Sequence, residues 1–178
     1  PTDYFYRLDP TAHDEVLRRG AWARCVQIIG ALDGAAELSV KHACERMQFG
    51  RPLSKFQSVQ HALVAMAGEI ERARAVVTLA VAAAADHGFG AAQTDYAVTI
   101  AKVVLGRAVS PATTIAHQLH GAIGVTAEHR LWLATTRAQS WITEFGSTVQ
   151  HAQRLGRIAT GAENPWDIIV GSDLTGWS

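Results

Sequence analysis

Apolar residues in this chain recur at spacings of three and four over four long stretches, the period of a helix that buries one face. The first stretch begins at about Ala12 and runs through Val16, Trp22, Val26, Ile29, Ala36, Val40 and Ala43. It should end between Arg46 and Gly50, because Gly50 and Pro52 together stop a helix. Gly30 and Gly34 lie on or near that stripe, which predicts close helix–helix approach rather than a break. The second stretch runs from about Gln57 to Ala85 through Val59, Leu63, Met66, Ile70, Val77 and Val81, and Asp86-His87-Gly88-Phe89-Gly90 closes it. The third runs from about Ala91 to Leu119 through Val98, Ala101, Val104, Ala108, Ile115 and Leu119. Pro111 inside it predicts a kink or a split near Val109. The fourth runs from about Ala127 to Thr160, with Leu131, Ala134, Ala138, Trp141, Phe145, Ala152 and Leu155 on one face.

Nothing reads as a strand. Short connections make consecutive helices antiparallel, so the pattern predicts an all-α fold, an antiparallel up-down-up-down four-helix bundle over residues 12–160. Residues 1–11 read as a lead-in segment and residues 161–178 as an irregular tail.

The connection before the fourth stretch, His117-Gln118-Leu119-His120-Gly121-Ala122-Ile123-Gly124-Val125-Thr126-Ala127-Glu128-His129, carries two glycines that permit positive φ and close ligand approach. Thr126 is placed to cap the next helix, with Glu128 in its first turn. Free N–H groups at such a helix start suit an anion such as a pyrophosphate. The other reading is a plain helix–helix connection.

Composition narrows the function. The 178 residues fit one domain. Lys plus Arg and Asp plus Glu number 16 each, so no basic surplus argues for nucleic acid or an anionic membrane. Glu, Arg, His or Lys interrupts every apolar run before the roughly 20 residues of a membrane span, so no span is expected. Cys25 and Cys44 make no disulfide framework, which fits a cytoplasmic protein. The start, Pro1-Thr2-Asp3-Tyr4-Phe5-Tyr6, has neither an initiator Met nor a signal-peptide core, so the chain reads as a piece of a longer polypeptide.

A di-iron bundle site needs Glu-x-x-His, but Glu15, Glu37, Glu69 and Glu128 are followed three residues on by Arg18, Val40, Arg72 and Leu131. His117 and His120 could face one direction as a zinc pair, yet no third ligand is evident, so no metal is expected. No nucleophile elbow, P-loop or CxxC occurs.

The stretch from Glu45 to Gln60 sets a cation, an aromatic ring and a turn together at a helix end. Arg46 could grip a phosphate and Phe49 could cover an aromatic ring. Alternatively, Arg46 caps terminal carbonyls and Phe49 plugs the bundle end. Here a resemblance enters. Arg46-x-x-Phe49-Gly50-x-Pro52-Leu53-x-x-Phe56-Gln57-x-Val59-Gln60 resembles the signature opening the C-terminal bundle of the acyl-CoA dehydrogenase family. Gln118-x-x-Gly121-x-x-Gly124-x-Thr126-x-Glu128-His129 resembles that family's later motif, in the right order. The resemblance covers about Val16 to Ile158 and leaves out the family's N-terminal helical and middle β-domains.

It implies FAD as cofactor, an acyl-CoA substrate, and neighbouring subunits of a dimer or tetramer. The residues matching Arg46 and Phe49, with Gln57 in the same signature, contact a neighbour's FAD in the family. Gln118 and Gly121 match positions that reach the cofactor near its pyrophosphate, and Gly146 and Ser147 match positions near its adenosine half. The family's second glycine is Ala122 here.

The implied chemistry removes a proton α to a thioester carbonyl and needs a carboxylate base. In many members that glutamate directly precedes a glycine in the fourth helix, but the matching residue is Phe145, before Gly146. Glu144 stands one residue earlier, about 100° around a helix. The family's other base location falls at about Gly20. The leading expectation is therefore the C-terminal domain of a FAD-dependent acyl-CoA dehydrogenase, silent by itself, with Glu144 the candidate base. The alternatives are a base elsewhere, a non-catalytic partner subunit of a heteromeric dehydrogenase, or a structural bundle without ligand.

Overall fold

The structure, a computed structural model, describes residues 10–170. They form six helices, α1 (Pro10–Glu45), α2 (Gln57–His87), α3 (Ala92–His120), α4 (Leu131–Trp141), α5 (Thr148–Gly161) and α6 (Pro165–Ile169). The all-α class holds. An unforeseen hairpin of two-residue strands, β1 (Met47–Gln48) and β2 (Arg51–Pro52), follows α1. Most of the predicted lead-in, residues 1–9, and the tail from 171 lie outside the described residues.

Helix α3 is the centre of the fold. Val98, Ala101, Leu105, Ala108, Val109, Ala112 and Ala116 are all buried along it. It is the one described helix long and apolar enough to cross a membrane, but 56% of that apolar window is buried inside the fold, as befits a core helix. It runs unbroken through Pro111, correcting the predicted split. The proline forfeits only one ladder bond, to the carbonyl of Arg107, an exposed residue.

The first stripe needs correction. Of the predicted stripe Ile29 and Ala43 are buried, joined by Ala21, Cys25, Ile28, Leu32, Ala35 and Ser39, whereas Val16, Val26 and Val40 are exposed. Small side chains let the helices approach closely, so the contact face of α1 is poor in bulk. Gly30 and Gly34 do not serve that approach, since nothing lies within 4 Å of a Cβ built on either. On α2, Met66, Ile70 and Val77 are buried with Ala73 and Ala80, while Val81 is exposed.

The predicted fourth helix is two. Phe145 (φ 55°) and Gly146 (φ 100°) are both left-handed, which no α-helix tolerates. Ser147 then restarts the chain as the N-cap of α5, in a reciprocal capping box with Gln150. This jog moves the chain from α1, on which α4 packs, to α3, on which α5 packs. Thr148 enters the notch left by Gly106 on α3, where a Cβ would overlap it. In the tail, Asn164 caps the short α6, whose N1 residue is Pro165.

Candidate functional site

The candidate residues fall into two groups at different levels of the fold. The first gathers where α1 and α3 end and α2 begins; His42 of α1 stacks on His120 of α3 with centroids 4.6 Å apart. Arg46 follows α1, and its carbonyl accepts the amide of Leu53 at 2.9 Å, which ties down the hairpin. Between β1 and β2 the chain turns on Phe49 (φ 50°) and Gly50 (φ 76°), two positive values in succession as a type I′ turn requires. Glycine meets that demand freely, whereas a phenylalanine there costs about 1 kcal/mol. The strained Phe49 is also 92% exposed, with only its edge against Phe56 at a 6.2 Å centroid distance. The guanidinium of Arg51 covers that Phe56 ring at 4.1 Å.

Gln57 is the first residue of α2, and Gln118 lies in the last turn of α3. Gly121 (φ 63°) ends α3, its amide donating to the carbonyl of His117, with open space where a Cβ would be. Arg46, Gln57 and Gln118 are exposed, and their side chains make no hydrogen bond or ion pair among the described residues. The fold thus brings Arg46, Phe49, Gln57, Gln118 and Gly121 to one end and leaves their polar heads free.

The connection after Gly121 differs from its prediction. Residues Gly121–Val125 form a 3-10 turn, and α4 starts only at Leu131, without a side-chain cap from its N-cap residue Arg130. Thr126 caps nothing in α4, because its hydroxyl donates back to the carbonyl of Ile123 at 2.9 Å. The imagined anion site at a helix start beside Thr126 is therefore absent. His117 pairs with Thr135 at 2.9 Å and the Nδ1 of His120 with the carbonyl of Ala116 at 2.8 Å. Among the described residues no three His, Cys, Asp or Glu side chains converge as a metal site.

The second group lies on the jog between α4 and α5. The Phe145 ring covers Gly20 of α1, where an added Cβ would overlap it. Both positions at which the family resemblance expects a carboxylate are thus in contact, and neither carries one. Glu144 is engaged elsewhere, one of its oxygens accepting from Arg24 Nε at 2.8 Å and forming an ion pair with Nη2 at 2.7 Å. The same guanidinium lies 5.1 Å from the Trp141 ring centroid.

Sequence patterning missed what holds this jog. Lys102 is fully buried in α3 and donates to the carbonyls of Ile142 and Glu144, each at 2.7 Å. Burial pushes its ammonium below the usual lysine value, and burial likewise drives the neighbouring Cys25 thiol up to about 12. A lysine inside the apolar run Ala101-Lys102-Val103-Val104 was the visible signal. His151 faces the carbonyl of Phe145 at 3.2 Å and leaves no room for a Cβ at Gly146, which would sit 2.6 Å from its Nε2. Burial holds His151 below the ordinary histidine value.

A cleft of about 490 Å³ opens beside the jog, lined by the apolar Leu17, Ala21, Val98 and Phe145 together with charged residues that include Arg18, Asp95 and Arg154. Glu144 is not among its walls. Asp95 meets Arg18 at 3.0 Å and is forked by Arg154. Burial pushes its carboxyl up, but the two guanidiniums outweigh that and hold it below the usual carboxylate value. The cleft thus mixes apolar side chains with a carboxylate, Asp95, that is paired with two of its arginines.

Comparison with known proteins places this geometry. The family described as acyl-CoA dehydrogenase, C-terminal domain, matches residues 11–160. Acyl-CoA dehydrogenase IpdE2 of Mycolicibacterium smegmatis is 31% identical over 127 residues, covering 71% of this chain and 38% of that protein. The Tcur3481-Tcur3483 steroid ACAD structure superposes with a TM-score of 0.77 at 31% identity, over 86% of this chain and 42% of that one. A glutaryl-coenzyme A dehydrogenase complex with glutaryl-CoA gives 0.76 at 25% identity, over 84% and 37%. The chain thus spans about two fifths of the relatives it matches.

Proposed function

The chain belongs to the acyl-CoA dehydrogenase family, as its C-terminal domain, and from that premise we propose that it serves a FAD-dependent acyl-CoA dehydrogenase by supplying cofactor contacts and subunit interface. The observation that carries this reading is the end at which the side chains of Arg46, Gln57 and Gln118 stand exposed without hydrogen-bond partners among the described residues, beside the exposed Phe49 and Gly121. Those residues fit FAD chemically. Arg46 offers a fixed cation and paired donors to a phosphate. Phe49, held out at a strained turn, offers a flat apolar face, and Gln118 offers an amide. The open backbone at Gly121 allows close approach. Ser147 accepts from Gln150 in its cap, which leaves its hydroxyl hydrogen free for the adenosine half. When bound, FAD supplies the hydride acceptor for an α,β-dehydrogenation of an acyl-CoA thioester.

The contact between Phe145 and Gly20 favours a second reading for the chemistry itself. With neither position acidic and Glu144 gripped by Arg24, the chain acts as the non-catalytic partner in a heteromeric dehydrogenase whose other subunit carries the base. Turnover of full-length protein on a panel of acyl-CoA thioesters separates the readings. Glu144→Gln abolishes turnover if Glu144 is the base. Unchanged turnover, or none until a second subunit is added, assigns the base elsewhere.

A further inference from the structure

Three of the chain's eight histidines, His42, His120 and His129, cluster at the end that carries Arg46 and Gln118. His120 lies between the other two. Its ring is 4.6 Å from that of His42 in near-parallel stacking at 23°, and 4.6 Å from that of His129. His42 and His129 are 6.4 Å apart. The three come from different segments: α1, the last residue of α3, and the connection leading to α4.

Their partners define their protonation. His129 Nδ1 accepts the backbone amide of Leu131 at 3.2 Å, so it must be a bare lone pair. That bond serves the first amide of α4, which has no other side-chain cap. His120 is only 5% exposed; its Nδ1 donates to the carbonyl of Ala116, which leaves Nε2 as the bare nitrogen. That Nε2 is buried and makes no hydrogen bond, although the backbone of Leu38 on α1 acts on the ring in favour of its charged form and is outweighed by burial. The observed arrangement is thus a neutral one on both rings. A proton on His129 Nδ1 would abolish its acceptor and set a cation at a helix start. A proton on His120 Nε2 would place a charge in a buried site against two further imidazoles.

We propose that His42, His120 and His129 form a proton-operated latch, which fastens the connection of residues 121–130 to the end of α1 when neutral and releases it on acidification. The remaining charges in view are few. Glu45 and Arg46 flank His42 from α1 and partly offset each other. His117, from α3, is tied to Thr135 of α4. Glu128 and Arg130 flank His129 on the connection itself. The C-terminal dipole of α3 favours a charged His120, but burial opposes it and prevails, holding His120 below the ordinary histidine value. Burial, followed by its two histidine neighbours, does the same to His42. Because burial lowers His120 and His42 in the closed state, those two rings bind protons more readily once the latch opens, and closure weakens as pH falls below about 6.5. The latch stands on its own geometry, whether or not FAD is the ligand of this end.

The test is hydrogen exchange on the full-length protein, corrected for intrinsic rates, between about pH 7.5 and about pH 5. Exchange across residues 121–133 accelerates at the lower pH, while the middle of α3 stays protected. His129→Asn keeps an acceptor that does not titrate and so blunts the acceleration. His42→Gln, which removes one wall of the stack, blunts it too without touching the α4 cap. Unchanged protection of residues 121–133 in the wild type would overturn the proposal, as would the same acid response in both variants.

Discussion

Phe145 lies across Gly20, its ring seated where any larger residue of α1 would project a Cβ. The contact crosses from the jog between α4 and α5 to the first half of α1, and it depends on an unusual backbone. Phe145 holds φ at 55°, and Gly146 follows at 100°. The turn is kept there by Lys102 below and His151 behind. The two residues fit as a knob and its hole.

Substituting Gly20→Val tests the fit directly. The Val side chain must displace the ring, at a cost of about 2 kcal/mol, which exceeds the gain in helix propensity over glycine. Urea denaturation should show that loss. In the Phe145→Ala background the same substitution should cost much less, and additive losses would show that the two residues do not touch.

Lys102→Met leaves the carbonyls of Ile142 and Glu144 buried without a donor. Two such orphaned acceptors, less the relief of no longer burying an ammonium, amount to about 2 to 4 kcal/mol. Lys41→Met, on the exposed face of α1, serves as control and should stay within about 0.5 kcal/mol of wild type. Equal stabilities for the two variants would show that Lys102 does not hold the jog.

Acid unfolding should proceed in two separable parts. Asp95 has a folded value below its unfolded one, so its contribution is full above about pH 4 and is lost as pH falls through the folded value. His120 and His42 also have lowered folded values, but as bases they begin to weaken the fold below about pH 6.5. Asp95→Asn, which breaks the pairing with Arg18 and Arg154, should cost about 3 kcal/mol near neutral pH. It should also abolish the lower part of the pH dependence and keep the upper. A variant with the wild-type profile below about pH 4 would contradict the assignment.

The long helices were legible because their periodic patterns are strong, and because Gly50, Pro52 and Gly88 punctuate them. The contact face of α1 was not, because packing there uses Ala21, Cys25, Ala35 and Ser39, while the bulky valines point to solvent. The break in the fourth helix was concealed by Phe145, which continued the apolar stripe, although Ser147 and Gln150 already spelled a capping box. That Arg46 and Phe49 belong with Gln118 and Gly121 was suggested by the two motifs, and the fold brings them to one end. The pairing of Asp95 with Arg154 and the histidine stack were not legible, since they join segments far apart in sequence. Such contacts depend on tertiary packing and leave no local period.

Phe49→Gly should separate stability from ligand contact. Glycine relieves the positive φ, so the fold should gain up to about 1 kcal/mol, visible as a higher melting temperature. The exposed ring contributes nothing else to the core. A loss of stability would mean that Phe49 packs against something in the full-length protein.

The most direct measurement of the cofactor reading is flavin content per protomer of the full-length protein, purified with any subunit that accompanies it. Wild type should be yellow and release FAD on denaturation. Arg46→Ala and Phe49→Gly should each lose most of that flavin, while the FAD-stripped proteins melt no lower than stripped wild type, because neither residue supports the core. A colourless wild type, or variants that retain the full complement of FAD, would contradict the assignment of this end to the cofactor.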